Sequence, residues 1–395
     1  MKTKIAIITT SILALSAVAA WELHARSPDE GSRAANKGAG PSSGANERPV
    51  EISMLYSSEK ADWLEAAQKT FAAAHPEIRV TLRPRGSLDA ARAVLDGTEK
   101  PTVLSPADSL VLNMLASDWK TKGRPPLTAQ TGEDAPRPLV VTPMVFVMWE
   151  DRAEALTKSG GEVSWRTLHK AVTAPNGWVS VGGKPEWGFV KIGHTDPTRS
   201  NSGLEALYMM ALTFHDKDNV EVGDLLSAPY QQFTRDLERG VPQLEASTGT
   251  FMTEMIRFGP SKFDVALVYE NLALSQIDAA QGRWGALRIY YPKRTVWSDH
   301  PAAILNGDWV TPEQRAAARL WLAHLGSREV QESARTWGFR PADPSVPVRT
   351  ADGSGPFERH TALGVKLDLP AAGRAPDGAV VRNMLVMWSR VAAPR

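Results

Sequence analysis

Between Val50 and Ala116 the chain alternates strand and helix three times, and few folds accept such a run. Ile52 to Tyr56 reads as a strand, Ser57 and Ser58 follow, and a helix runs from about Glu59 to Ala74. That helix carries Trp63, Ala67, Phe71 and Ala74 on one face, and Pro76 ends it. Ile78 to Leu82 is the next strand, and Ser87 opens a helix that stops near Gly97. Thr102 to Leu104 is a short strand, after which Ser105-Pro106 starts a helix through Ala116. The order β-α-β-α-β-α predicts an α/β fold with a parallel sheet and covering helices. Such sheets bind ligands at the C-terminal ends of their strands, where Ser57, Ser58, Ser105 and Asp108 fall.

A second strand-loop-helix run spans Trp187 to Leu212. Phe189, Val190 and Ile192 form a short apolar strand between Gly188 and Gly193. The loop brings Thr195, Asp196, Thr198, Ser200, Asn201 and Ser202 around Pro197. Leu204, Leu207, Tyr208 and Ala211 then give the following helix one apolar face. Hydroxyls and free backbone N–H groups thus meet at a helix N-terminus, which suits an anion or another acceptor-rich ligand. A single serine there needs no more than a capping role, but the loop holds more hydroxyls than a cap uses. Asp196 before Pro197 has the simpler reading of a turn residue, and His194 that of a loop or surface histidine.

At 395 residues the chain exceeds one typical domain and predicts two. The 45 basic and 44 acidic residues nearly cancel, and no basic block stands out, which argues against nucleic acid. The absence of cysteine excludes disulfides, thiolate metal sites, thiol catalysis and a lipid-modified N-terminal cysteine. Lys2 and Lys4 precede an apolar run from Ile5 to about Trp21, with small residues at Ala17-Val18-Ala19. This is an export signal, either cleaved or kept as a membrane anchor, and it predicts the folded part outside the cytoplasm. Residues 26–49, rich in Gly, Ser, Ala, Pro and charge, read as a flexible linker.

Leu139 to Trp149 is a long apolar run in which Pro143 argues against a central strand throughout, so a strand crossing between two lobes fits better. Helices near Trp165–Val172, Tyr230–Leu237 and from Thr250 follow. Asp264 to Tyr269 is a strand that leads into Glu270-Asn271 and a helix to Ala280. Glu270 has the alternative role of a first-turn residue stabilised by the helix dipole. Leu287 to Tyr291 is a further strand. Thr311-Pro312-Glu313-Gln314 is a capping box, its helix runs to about Leu325, and another starts at Ser327. Val380 to Val391 reads as a terminal helix.

From Val50 to Pro341 this pattern resembles the class II periplasmic substrate-binding proteins of ABC transporters, the group with sulfate, molybdate and iron binders. The resemblance rests on the strand-Ser57-Ser58-helix start, on D-P-T-R-S-N-S-G at 196–203 and on D-V-A-L-V-Y-E-N at 264–271. It rests also on Y-P-K-R-T-V-W-S-D-H-P-A-A-I-L at 291–305, then S-R-E-V-Q-E-S-A at 327–334 and G-F-R-P at 338–341. It implies two α/β lobes with mixed or parallel sheets, joined by two crossing strands near 139–147 and 291–304, that close on a ligand. The implied division is a signal peptide or anchor at 1–25, a linker at 26–49, lobe one at 50–140, lobe two at 141–294, and a return to lobe one with C-terminal helices at 295–395.

The resemblance also implies the function: an exported, periplasmic binding protein, monomeric and without cofactor or catalytic role, that hands a small polar or anionic ligand to an ABC transporter permease. The N-terminal segment would supply any inner-membrane tether. A membrane-tethered sensor or adaptor acting on a protein partner is the alternative. Ser57, Ser58, Ser105, Thr195, Thr198, Ser200, Asn201 and Ser202 are expected to line the cleft, with Tyr269 and Glu270 on its opposite rim. The adjacent Tyr290 and Tyr291 would face opposite sides of a strand, which argues against a two-tyrosine iron site. Carboxylates near the cleft sit badly with a simple oxyanion. Enzyme readings are weaker. Ser57-Ser58-Glu59-Lys60 matches S-x-x-K, but Lys158-Ser159-Gly160 follows a helical segment rather than sitting on a strand. The 8 histidines show no zinc-hydrolase spacing.

Overall fold

β1 (Val50–Tyr56) is the centre of the first lobe, and it lies parallel to two later strands, one on each side. The computed structural model describes residues 48–369 and 375–392. The charged-then-apolar N-terminal run and the linker behind it lie outside the described residues. Among the described residues no helix is long and apolar enough to cross a membrane.

A 3-10 turn over Ser58–Lys60 leads from β1 into α1 (Ala61–Ala74), which buries Trp63, Leu64, Ala67 and Phe71, close to the face its periodicity predicts. β2 (Ile78–Pro84), α2 (Ser87–Leu95), β3 (Val103–Ser105) and α3 (Ser109–Thr121) complete the alternation. β4 (Arg137–Pro138) then precedes β5 (Val140–Trp149), the strand that joins the lobes.

β5 is continuous through Pro143, against the expectation that proline bars a strand along the whole run. The reason lies in its partners. Thr142 and Pro143 face Ser298 and Trp297, whereas Met144 to Met148 face Tyr269 to Val265. The missing N–H therefore falls where one ladder gives way to the next. Residues 144–149 are at most 1% exposed, because other elements cover both faces of the strand.

The second lobe contains α4 (Glu150–Gly160), α5 (Trp165–Val172), β6 (Ile192–Gly193), α6 (Asn201–His215), α7 (Val222–Leu225), α8 (Ala228–Arg239), α9 (Thr248–Phe258), β7 (Val265–Tyr269), α10 (Glu270–Ala280) and β8 (Leu287–Tyr290). β6 is shorter than the apolar run suggested. Gly188 turns the chain at φ 64° after a 3-10 turn at Pro185–Trp187, and Phe189 is left 66% exposed. α6 was expected to bury one face, yet every residue from Asn201 to Leu212 is buried. It is the central helix of its lobe, surrounded by α5, α8 and β7 and by a helix from the C-terminus.

β9 (Trp297–Ser298) and β10 (Pro301–Ile304) carry the chain back, with His300 between them in the left-handed region at φ 41°. β10 pairs antiparallel with β3 and β4, giving the first sheet the order β2-β1-β3-β10-β4. α11 (Pro312–Leu325) starts at the Thr311–Gln314 capping box as its sequence predicts, and α12 (Arg328–Ala334) follows. β11 (Arg340–Pro341) returns to β5, so the second sheet reads β11-β5-β7-β6, with β8 and β9 also on β5. β10 lies in the first sheet, and α11 and α12 pack on α1. Beyond β11, α13 (Pro356–Arg359) packs on α10, and α14 (Gly378–Val391) packs on α6, α7 and α8 of the second lobe.

Candidate functional site

The C-terminal end of β1 supplies the first-lobe side of the seam. Ser57 donates its N–H to Ser105 O at 3.0 Å, tying the ends of two parallel strands together. Its hydroxyl is held by the Lys60 ammonium, one turn away and fully buried. Lys60 Nζ also donates to Pro106 O at 3.2 Å and lies 3.2 Å from His300 Nδ1. Glu59 Oε1 is 3.2 Å from the same ring nitrogen and 3.8 Å from Lys60 Nζ.

These charges set one another's protonation. Burial opposes ionisation of Glu59, but Lys60 and His300 override it and bring the carboxyl down to about 2. Burial pulls Lys60 down to about 8 despite Glu59. Burial, with Lys60 second, pulls His300 down to about 4, so its ring is neutral at pH 7.

The second-lobe side is the loop before α6. Gly203 lets that helix approach the loop, since a Cβ there would stand 2.2 Å from Thr195 O. The approach collects hydroxyls. Ser202 Oγ is 2.7 Å from Thr195 Oγ1 and 2.6 Å from Thr248 Oγ1, and Ser200 Oγ is 3.3 Å from Ser202 Oγ. Neither serine side chain caps α6. Asn201 Nδ2 donates to Tyr269 OH at 3.1 Å, and Ser298 Oγ donates to Glu205 Oε1 at 2.6 Å. Burial, then the charges of Glu205 and Glu59, hold the Tyr269 phenol well above its ordinary range.

The two sides meet directly. Leu88 and Asp89 donate backbone N–H groups to Arg199 O at 3.2 and 3.3 Å, and Arg92 reaches Thr198 O at 3.3 Å. Asn271 Nδ2 donates to Glu59 O at 3.2 Å. Several side-chain atoms in this region are buried without hydrogen-bond partners: Ser105 Oγ, Asn201 Oδ1, Glu205 Oε2, Asn271 Oδ1 and His300 Nε2. Unsatisfied groups are rare in folded proteins, so this seam is taken as the candidate site. A larger hollow of about 440 Å³, lined by residues such as Gln68 and Phe71, belongs to the first lobe's α1–β2 face and holds none of these groups.

The structure brings Ser57, Ser105, Thr195, Ser200, Asn201, Ser202 and Tyr269 into this buried polar region, and half-buried Ser58 packs near Gly249 of α9. Thr198 turns away, its N–H and hydroxyl both engaged by Asp196 Oδ1 in the turn that the Asp-Pro pair suggests. Glu270 is not an open rim carboxylate. Arg340 grips it at 2.7 and 2.8 Å, and Tyr291 OH donates to it as well. His194 is fully buried rather than a loop or surface histidine, between Thr195 O at 2.8 Å and Glu238 Oε1 at 3.2 Å. Sequence reasoning did not select Glu59, Lys60, Glu205, Thr248, Ser298 or His300. Two of them carried a signal: Lys60 as the lysine of the S-x-x-K match, and Glu205 as a lone carboxylate within the apolar run of α6. Among the described residues no group of three or more His, Asp or Glu side chains is placed to hold a metal.

Two α/β lobes joined through shared strands, with polar groups gathered along the seam, define the two-lobed periplasmic-binding-protein fold. The chain belongs to the bacterial extracellular solute-binding protein family, whose family model matches residues 52–340. Solved structures agree on the fold. The sulfate-binding protein SubI from Mycobacterium tuberculosis H37Rv aligns over 86% of this chain and 97% of its own, at 16% identity and a TM-score of 0.55. A periplasmic thiamin binding protein aligns over 89% and 98%, at 15% identity and a TM-score of 0.60. Iron-bound HitA from Pseudomonas aeruginosa aligns over 87% and 99%, at 16% identity and a TM-score of 0.55. Comparison with curated protein sequences gives no match.

Proposed function

We propose that this chain is an exported solute-binding protein that captures a small polar ligand between its lobes and delivers it to an ABC transporter permease. The observation that carries the reading is the hydroxyl cluster of Thr195, Ser200, Ser202 and Thr248 beside unsatisfied Asn201 Oδ1, all at the seam of a solute-binding fold. Proteins with similar folds that bind sulfate, thiamin and iron support a ligand held between the lobes. The charged N-terminus and its apolar run support export.

Native mass spectrometry of the purified full chain tests the reading. A small molecule should co-purify, and the Ser200→Ala/Ser202→Ala double variant should lose it while remaining folded. Retention of the molecule by that variant would move the site away from the hydroxyl cluster.

One observation favours a second reading, a tethered adaptor that acts through a protein partner. The lobes are already bridged by the chain's own bonds, from Leu88, Asp89 and Arg92 to the Thr198–Arg199 backbone and from Asn271 to Glu59. An adaptor gives no co-purifying molecule, and its radius of gyration does not respond to any transported solute.

A further inference from the structure

Asp108 precedes α3 in the first lobe, and Glu205 lies in the second turn of α6 in the second lobe. Both line one cavity of about 30 Å³, whose other walls include Leu110, Leu204, Tyr208 and Trp297. Glu205 is 6% exposed, and its Oε1 accepts from Ser298 while its Oε2 has no hydrogen-bond partner. Asp108 Oδ1 accepts from Leu110 N at 2.6 Å. Among the described residues neither carboxyl forms an ion pair, and no described lysine or arginine lines the cavity. Burial first, then the charge of Asp108, holds Glu205 well above the ordinary carboxylate range. Burial and the charge of Asp299 push Asp108 up to about 7. Two buried carboxyls on one cavity disfavour each other's ionisation, and a cation in that cavity reverses the effect.

We infer that this cavity is a cation subsite of the interlobe cleft and takes the head of a small organic ammonium ion. The inference rests on the solute-binding reading and names its ligand class. An oxyanion would meet two carboxyls where it needs donors. A hard divalent cation needs about six to eight oxygen ligands, and here the other described wall residues are apolar or aromatic. The volume suits a group about the size of one water, as an ammonium head is. Tyr208 and Trp297 bring aromatic rings of the kind that attract alkylammonium ions.

Titration calorimetry of the full chain at pH 8 is the test, with methylammonium, ethylammonium, sulfate and magnesium as separate probes at matched ionic strength. At least one ammonium ion should bind. Glu205→Gln and Asp108→Asn should each weaken it by about tenfold to a hundredfold, the range for losing a charged hydrogen bond. Thermal melting checks that each variant is folded. Asp108→Asn retains the oxygen that caps α3, so a folding failure of Glu205→Gln still leaves one decisive variant. The inference is overturned if neither ammonium ion binds, if both variants bind as tightly as the wild type, or if magnesium binds more tightly. Sulfate binding that disappears in Ser200→Ala/Ser202→Ala, without ammonium binding, would remove the cation assignment and leave the solute-binding reading standing.

Discussion

Arg199 Nε lies 2.9 Å from Asp89 Oδ2, so the loop that opens α6 in the second lobe is ion-paired to the first turn of α2 in the first lobe. The pair is solvent-facing on the arginine side and contributes at most about 1 kcal/mol. The closer contact is Gly86, beside it. A Cβ there would stand 2.8 Å from Arg199 O and 2.9 Å from Ala246 O, both backbone atoms of the opposite lobe. Gly86 has φ −56°, which alanine adopts freely, so the clash exists only while the lobes touch. Gly86→Ala should therefore separate the lobes without unfolding either. Small-angle scattering should show a larger radius of gyration than wild type, with a smaller change for Arg199→Ala. A wild-type radius for Gly86→Ala would mean that the seam yields locally instead.

Lys60 and Glu59 are a buried charge pair, and breaking such a pair costs more than its presence contributes. Lys60→Met leaves Glu59 ionised and enclosed, and should destabilise the chain by about 3–5 kcal/mol. Glu59→Gln/Lys60→Met should recover part of that loss, because no isolated charge remains. Denaturant unfolding of the two variants gives the comparison. Equal losses in both would show that packing of the lysine stem, and not its charge, carries the effect.

The carboxyl of Asp108 makes stability depend on pH with a definite sign. Its folded value, about 7, is raised above the ordinary 3.8, so over this interval the folded chain binds a proton that the unfolded chain has released. The stability it contributes is complete below the ordinary value and is lost as pH rises through about 7. His300, lowered to about 4, acts in the opposite sense below about pH 6.5, and Lys60, lowered to about 8, acts above pH 8. Asp108→Asn removes the first of these and the repulsion by which Asp108 raises Glu205, both of the same sign, and leaves the other two in place. Its melting temperature relative to wild type should rise steadily from pH 5 to pH 7.5. A constant difference across that range would place the carboxyl in solvent.

Glu270 and Arg340 tie the start of α10 to β11 through two short charged hydrogen bonds, and Arg340 also donates to Lys366 O and to Leu367 O. Glu270→Gln should cost about 3 kcal/mol or more by leaving the guanidinium underpaired in a buried position. The folded fraction should bind its ligand with wild-type affinity, since the carboxylate is committed to Arg340. A large change in affinity at unchanged stability would return Glu270 to the ligand site.

Much of the fold was legible because its signals are local. Apolar periodicity predicted β1 through α3, the run into α6, and α14, while the Thr311-Pro312 capping box located the start of α11. The hydroxyls of the 195–202 loop could be selected because they precede a helix in sequence. Tertiary structure decided what those residues touch. Pro143 sits within a strand because β5 changes partners there, and α6 is buried on every side because helices from distant segments surround it. Glu270 meets Arg340 seventy residues later, which removes it from the rim. Lys60 meets His300 across 240 positions, and Asp108 shares a cavity with Glu205 from the other lobe. Periodicity records which way a side chain points within its own element. It cannot record which other element stands opposite, and beyond the local contacts of Lys60 with Glu59 and Ser57 the electrostatics of this seam arise from that second fact.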